Sequence, residues 1–296
     1  MNLLFTGATG FLGGNTMPFL QDYNITTLGF EPSNLVINLA NEVPVLPNKY
    51  DIVLHAAGKA HVAPRNDQEE QQFYDVNLQG TINLTKAIEE VGVPNSFVFI
   101  STVAVYGIDE GENITEDHPT NPTTPYGISK LKAEQYLVKW SEKNNVNLTI
   151  LRPSLIAGSN PPGNLGAMIS GISSGKYLSI GKAAAQKSIL MVEDIANLVR
   201  LCYGKNGIYN VCSQTTPTFK ELELSISKQL GKKLPLSIPL WLAKMIAKVG
   251  DLLGSKAPIN TLKLKKITQS LTFSSQKAQT ELGWKPLDII PNFKIK

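Results

Sequence analysis

Tyr126 and Lys130 stand four residues apart in the stretch PYGISK. On a helix that starts near Pro125 this spacing puts the phenol and the ammonium on one face. A phenol titrates near pH 10, so at neutral pH it moves protons poorly until a neighbouring cation favours the phenolate. Upstream, the run FISTVAVYG at residues 99–107 carries two hydroxyls, Ser101 and Thr102, to the end of an apolar strand pattern. A register shift of one residue exchanges their orientation, so either is a candidate to hold a reacting oxygen. Val103 and Ala104, next along, hold nothing that titrates. A tyrosine and lysine at this spacing also occur on ordinary surface helices; their order after a hydroxyl-ended strand gives the pair its meaning.

The second constellation is TGATGFLGG at residues 6–14, where Gly7, Gly10 and Gly13 follow a strand and open a helix. Glycines there let the backbone turn tightly and approach a pyrophosphate, and the helix amino end offers unpaired N–H groups. The spacing is GxxGxxG rather than the usual GxGxxG. The second strand, ITTLGFE, leaves Gly29 at its end and Glu31 as the nearest carboxylate for ribose hydroxyls. No Lys or Arg precedes Lys49, so a 2′-phosphate has no local cationic partner, which favours NAD over NADP. Hydrogen bonds from Ser33 or Asn34 leave NADP open. Asn38 is read either as an adenine contact or as an ordinary turn residue.

These groups need a scaffold. Short β-rich runs (LLFTG, ITTLGF, LVINL, DIVLHAAG, SFVFIST, LTILRPSLIAG) alternate with stretches of helical spacing such as VNLQGTINLTKAIEEVGV, which predicts a parallel sheet covered on both faces. The reading divides the chain into a dinucleotide-binding domain over 1–157, with core strands continuing to about 215, and a substrate lobe over 158–296 interleaved with it. In that lobe Thr218 to Glu221 predicts a capping box, and Gly283 stands where a helix stops before Pro286.

The 296 residues suffice for one large α/β domain carrying a smaller lobe. With 28 basic and 24 acidic residues the net charge is only +4, and no stretch joins dense cations to aromatics, so nucleic acid is not an expected partner. Met1 runs directly into NLLFTG without a leader pattern, and no apolar run spans a bilayer. Two cysteines, Cys202 and Cys212, are too few for a disulfide framework. A cytoplasmic setting is expected. His55, His61 and His118 lack metal-ligand spacing, and no metal is expected. The segment PLWLAKMIAKVGDLLG, 239–254, has Lys244 and Lys248 four apart and fits a membrane surface. A packed helix with one wet face is the plainer account, so membrane contact is not expected.

Taken together, TGATGFLG, HAAG, the asparagine of DVN, STVAVYG, PYGISK, LRP and the late VEDIA resemble the extended short-chain dehydrogenase/reductases of the nucleotide-sugar epimerase/dehydratase family, UDP-glucose 4-epimerases among them, over nearly the whole chain. The resemblance implies a Rossmann-type doubly wound parallel sheet with a smaller C-terminal substrate-binding lobe. It implies Tyr126 as the acid-base, Lys130 as its electrostatic partner, and Thr102 as the hydroxyl on the sugar, with Ser101 in reserve. Around the cofactor it places Gly7, Thr9, Gly10, Phe11, Leu12 and Gly13 in the glycine loop, and Glu31, Asn38 and Leu39 toward the adenosine. Ala56, Ala57, Gly58 and Lys59 line the cofactor after the fourth strand, Asn77 supports the site, and Ser101, Tyr126, Lys130 and Pro153 complete the set.

Relatives that remove water from a sugar carry an Asp-Glu pair after the active-site threonine. With Val103 and Ala104 there, elimination through that pair is unavailable, and hydride transfer remains. The leading expectation is a UDP-hexose or UDP-N-acetylhexosamine 4-epimerase, which oxidises C4 transiently and returns the hydride to the other face. An NAD(P)H-dependent 4-keto-6-deoxy nucleotide-sugar reductase needs the same residues, and a non-catalytic dinucleotide sensor is the alternative of another class. Substrate contacts are expected from Lys59, His61, Thr102, Val103 and Tyr126, from a helix beginning near Asn164, and from Lys187, where many relatives have arginine. A homodimer through helices near 76–91 and 126–143 is implied by the same likeness.

Overall fold

The computed structural model describes residues 1–60, 62–252 and 259–295; His61 lies outside them. The chain opens with β1 (Asn2–Thr6), α1 (Phe11–Thr16), β2 (Asn24–Gly29), β3 (Leu35–Val36) and β4 (Ile52–His55), followed by α2 (Asp67–Tyr74), α3 (Gly80–Val91) and β5 (Ser96–Ile100). Next come β6 (Gly111–Ile114), α4 (Pro125–Asn144), β7 (Asn147–Pro153), β8 (Leu155–Ala157), α5 (Gly163–Ser173), β9 (Leu178–Ile180) and β10 (Ile189–Met191). The remainder comprises α6 (Glu193–Leu201), β11 (Gly207–Val211), α7 (Phe219–Gln229), β12 (Leu236–Ile238), α8 (Leu240–Asp251), α9 (Thr261–Thr268), β13 (Leu271–Phe273), α10 (Gln276–Leu282) and α11 (Ile289–Asn292).

Seven strands form one parallel sheet in the order β11-β7-β5-β4-β1-β2-β3. Continuous runs such as IVLH in β4 and SFVFI in β5 are buried throughout because both faces are covered. Leu3, Phe5, Leu54 and Val98 point into one core, Leu4, Val53, Phe97 and Phe99 into the other. β1 pairs with β2 on one side and β4 on the other. The strand order reverses between β1 and β4, and the crevice outside their carboxyl ends is where such sheets bind ligands.

The smaller lobe is made of paired strands, β8 with β10 and β9 with β12, and of two cores, one around Leu165, Met168 and Leu222 and one around Ala243, Ala247 and Leu264. Later parts of the chain return to the main sheet. β11 forms an edge of the main sheet, and Ile195, Leu198, Ala278 and Trp284, all later than residue 157, pack into the core beneath β1.

Local signals are honoured at several boundaries. α4 begins at Pro125, with the Thr124 hydroxyl accepting the Gly127 N–H at 3.2 Å. The capping box Thr218/Glu221 is formed, and Gly283 ends α10 at φ +68°. The stretch VNLQGTINLTKAIEEVGV departs from a uniform 3.6 period, because Asp75–Gln79 is one π-helical turn before α3. That widened turn directs Asn77 inward, 1% exposed.

Candidate active site

The loop from Thr6 to α1 is shaped by close backbone approach. Gly7 adopts φ +79°, and a side chain there would stand 2.6 Å from the Ala57 nitrogen. A side chain on Gly13 would stand 2.3 Å from the Gly7 carbonyl oxygen. Gly10 differs: its backbone is extended, φ −78° and ψ 178°, and the nearest atom to an added Cβ is 3.5 Å away. The fold therefore demands two of the glycines, whereas nothing in the chain's own packing requires the third. Thr9 is exposed, while Phe11 and Leu12 are half-buried. Across the crevice Gly29 ends β2, and the Ser33 hydroxyl beside it is buried without a partner. A glycine-lined approach, free N–H groups and an orphaned hydroxyl fit a dinucleotide. Glu31 is exposed in the turn after β2. Asn38 lies in the turn after β3, its Oδ1 accepting the Ala40 N–H at 3.1 Å. Leu39 is buried against Gly80.

The carboxyl end of β4 is held by a chain of hydrogen bonds that sequence inspection missed. His55, 1% exposed, lies 2.6 Å from the Thr6 hydroxyl through Nδ1 and 2.8 Å from the Thr81 hydroxyl through Nε2. Thr81 donates its proton to the Asn77 carbonyl at 2.7 Å. Nε2 must then donate to Thr81, leaving Nδ1 to accept from Thr6, whose oxygen in turn accepts the Ala57 N–H at 3.2 Å. Burial drives His55 down to about 3, so the ring is neutral, as this direction of bonding requires. Asn77 carries the chain onward: its Oδ1 accepts the Lys59 N–H at 2.7 Å, and its Nδ2 donates to the Lys59 carbonyl at 3.1 Å and to the Ser129 hydroxyl at 2.9 Å. Ser129 donates to the Tyr126 carbonyl at 2.9 Å. Ala56, Ala57, Gly58 and Lys59 are thereby tied to the helix that bears Tyr126.

The two hydroxyls after β5 part company. Ser101 donates to the Glu134 carboxylate, whose oxygens also receive Arg152 at 3.1 and 2.6 Å, all three residues buried. Thr102 accepts the Ala104 N–H at 3.1 Å and lies beside the Tyr126 phenol. Burial pushes the phenol above its ordinary value, and the hydrogen bond with Thr102 pulls it back. The stabilisation expected from Lys130 is not among these influences. Lys130 follows Tyr126 by one turn as predicted, but its Nζ lies 3.9 Å over the Phe99 ring, a seat that attracts a cation. It is 3% exposed, and burial brings it down to about 7, opposed by Glu134 one turn further on. A side chain at Gly58 would come 3.9 Å from Lys130 Nζ and 3.1 Å from Asn77 Oδ1, so the loop after β4 and the face of α4 meet here. Glu134, Arg152, Ser129 and His55 were not singled out as site residues; the i, i+4, i+8 stripe Tyr126, Lys130, Glu134 was the available signal.

Other candidates are more scattered. The Lys59 ammonium bonds Gln72 and lies 5.5 Å from the Phe73 ring, which stands 6.4 Å from the Tyr126 ring. Val103 opens a short 3-10 turn, Val103–Tyr106, and Pro153 ends β7 opposite Val211, buried. α5 begins at Gly163, so the exposed Asn164 lies in its first turn. The loop before it and the helix line a cavity of about 640 Å³ with Gly158, Asn160, Gly163 and Phe293. Lys187 is half-buried beside Leu271, lowered by burial, with Asp109 and Lys266 as charged neighbours.

The chain as a whole has relatives among known proteins. The family model described as "NAD dependent epimerase/dehydratase family" matches residues 3–212. The chain is 29% identical to the N-acetyl-alpha-D-glucosaminyl-diphospho-ditrans,octacis-undecaprenol 4-epimerase of Escherichia coli O157:H7, covering 94% of this chain and 89% of that one. It is 28% identical to the UDP-glucose 4-epimerase of Vibrio cholerae, over 96% of this chain and 90% of that one. Among solved structures, that of RMD from Pseudomonas aeruginosa complexed with NADPH superposes with a TM-score of 0.76 at 21% identity, covering 99% of this chain and 96% of that one.

Proposed function

Because this chain belongs to the NAD-dependent epimerase/dehydratase family, we propose that it is a 4-epimerase acting on a hexose or N-acetylhexosamine held on a diphosphate carrier, with UDP-sugars the first candidates. The carrying observation is Tyr126 and Lys130 one turn apart on α4 with Thr102 lowering the phenol, and apolar Val103 and Ala104 following Thr102. This is a site equipped to move one proton at one oxygen and lacking a second acid-base pair there. Both relatives above are named as 4-epimerases, and the Escherichia coli protein's name adds polyprenol-linked sugars to the candidates.

NAD, when bound, supplies the acceptor and donor of the hydride. Gly7, Gly10 and the first turn of α1 would hold its pyrophosphate, and Ser33 would reach the adenosine side. Thr102 holds the C4 oxygen while Tyr126 takes its proton, and Tyr126 later gives that proton back. Lys130, one turn along α4 from Tyr126 and cationic below about pH 7, would hold the ribose beside the nicotinamide. Asn77 fixes the loop of Gly58 and Lys59 against α4, so proton carrier and cofactor loop keep their spacing. Pairing with a second copy through α3 and α4 completes the reading.

Purified protein incubated with a panel of UDP-hexoses, with and without added NADH or NADPH, tests it by NMR of the products. Interconversion of C4 epimers without consumption of reduced cofactor is expected, and Tyr126→Phe should lower turnover by about 100-fold or more. Stoichiometric oxidation of NADH or NADPH with a 4-keto sugar would instead establish the reductase. A cofactor-binding protein with no turnover would establish the sensor.

A further inference from the structure

Helix α8 is built with its small residues inward and its large ones outward. Ala243, Ala247 and Gly250 are buried, the two alanines packing in one cluster with Ile180 and Leu264. On the opposite side Trp241, Met245, Val249 and Leu252 recur at i, i+4, i+8 and i+11, exposed by 64, 58, 64 and 88%. A helix that merely closes a lobe places polar residues on its wet face; this one presents a contiguous apolar stripe. Lys244 and Lys248 follow one flank of the stripe, and Leu236 on neighbouring β12 is 78% exposed.

The sequence around the stripe is strongly basic, although Lys266 meets Asp109 at 3.9 Å. Residues 228–266 contain nine lysines and a single acid, Asp251, with no glutamate. Asp251 is engaged by the N–H and hydroxyl of Thr261 at 2.9 and 2.6 Å. Two copies meeting through this face about a twofold axis would bring Lys244 and Lys248 toward their own counterparts, while Asp251, the acid of α8, is already engaged by Thr261. An anionic surface meets the lysines, and an acyl layer meets the stripe. We propose that α8 is a docking surface for an anionic lipid bilayer, lying in the headgroup plane with Trp241, Met245, Val249 and Leu252 inserted and Lys244 and Lys248 at the phosphates. Among the described residues no helix is long and apolar enough to cross a membrane, so this attachment is peripheral. The inference stands apart from the epimerase reading, and the two meet only if the diphosphate carrier is itself a membrane lipid.

Co-sedimentation of the full chain with vesicles of phosphatidylcholine, alone or mixed with phosphatidylglycerol, tests it. Binding to the mixed vesicles is expected, with a blue shift in tryptophan emission that reports Trp241, since Trp140 and Trp284 are buried. The double variant Trp241→Ser/Met245→Ser should lose binding about tenfold or more, and Lys244→Gln/Lys248→Gln should lose it only where phosphatidylglycerol is present. Melting temperature and turnover of a water-soluble UDP-sugar serve as controls and should not change. Absence of binding to mixed vesicles, or binding indifferent to both double variants, overturns the proposal. So does self-association of the unaltered chain that the Trp241→Ser/Met245→Ser change abolishes, which would make a second copy the occupant.

Discussion

Gly7 and Gly10 stand three residues apart and answer to different constraints. Gly7 is held by its own fold, since its positive φ disfavours any side chain and a Cβ would overlap the backbone of Ala57. Gly10 has an extended backbone and ordinary contact distances around an added Cβ. Gly7→Ala should therefore cost about 2 kcal/mol or more in folding. Gly10→Ala should stay within about 1 kcal/mol of the parent, yet weaken NAD binding by about tenfold or more because the methyl stands where the ligand approaches. Chemical denaturation and NAD titration of the two variants separate the cases. If Gly10→Ala binds NAD as the parent does, the glycine loop does not carry the pyrophosphate. The same discrimination applies to Ser101 and Thr102, whose hydroxyls look equivalent in the sequence until one is found on Glu134 and the other beside Tyr126.

At the scale of elements, α4 joins chemistry to support along one stripe. Tyr126 faces Thr102, Lys130 sits over Phe99, and Glu134 anchors Ser101 of the β5 end and Arg152 of β7. Glu134→Gln leaves Arg152 buried without its counter-charge, which should cost about 3–5 kcal/mol, and adding Arg152→Met should recover much of that loss. The same substitution removes the carboxylate that holds the lysine's pKa up. The alkaline limb of the rate profile that reports Lys130 should thus move to lower pH in Glu134→Gln, whereas a purely structural glutamate would lower the rate without moving the limb. How much of this is legible in the chain follows from how local each constraint is. The Tyr126–Lys130 spacing, the Thr124-capped start at Pro125 and the glycine loop each involve neighbours in sequence, and they were readable. Arg152 lies 18 residues beyond Glu134 and meets it only because β7 pairs with β5, a long-range fact with no local signature. The π turn that buries Asn77 is likewise silent, since DVNLQ reads as ordinary helix. α8 is apolar on both sides in sequence, so periodicity does not reveal that its alanines face inward; only packing against α9 decides it.

Across the whole molecule, two buried ionisable groups at distant joints set opposing pH dependences. His55 locks the centre of the main sheet to the π turn. Asp194 at the start of α6 receives Trp284 Nε1–H at 3.2 Å and the Leu287 N–H at 3.1 Å, tying the C-terminal segment to the main core. Burial lowers His55 from 6.5 to about 3, so between those values the unfolded chain holds the extra proton and stability falls as pH falls. Burial raises Asp194 from 3.8 to about 6, so between those values the folded chain holds the extra proton and stability rises as pH falls. Each contributes a slope of about 1.4 kcal/mol per pH unit, of opposite sign, and in the shared window the two offset. Asp194→Asn should then expose the His55 term, losing about 3 kcal/mol relative to the parent on going from about pH 6 to about pH 4. His55→Gln should show the reverse trend, gaining relative to the parent over the same interval. Urea unfolding at the two pH values measures both differences, and parallel pH profiles for parent and variants would mean that neither group is held in the charge state its surroundings dictate.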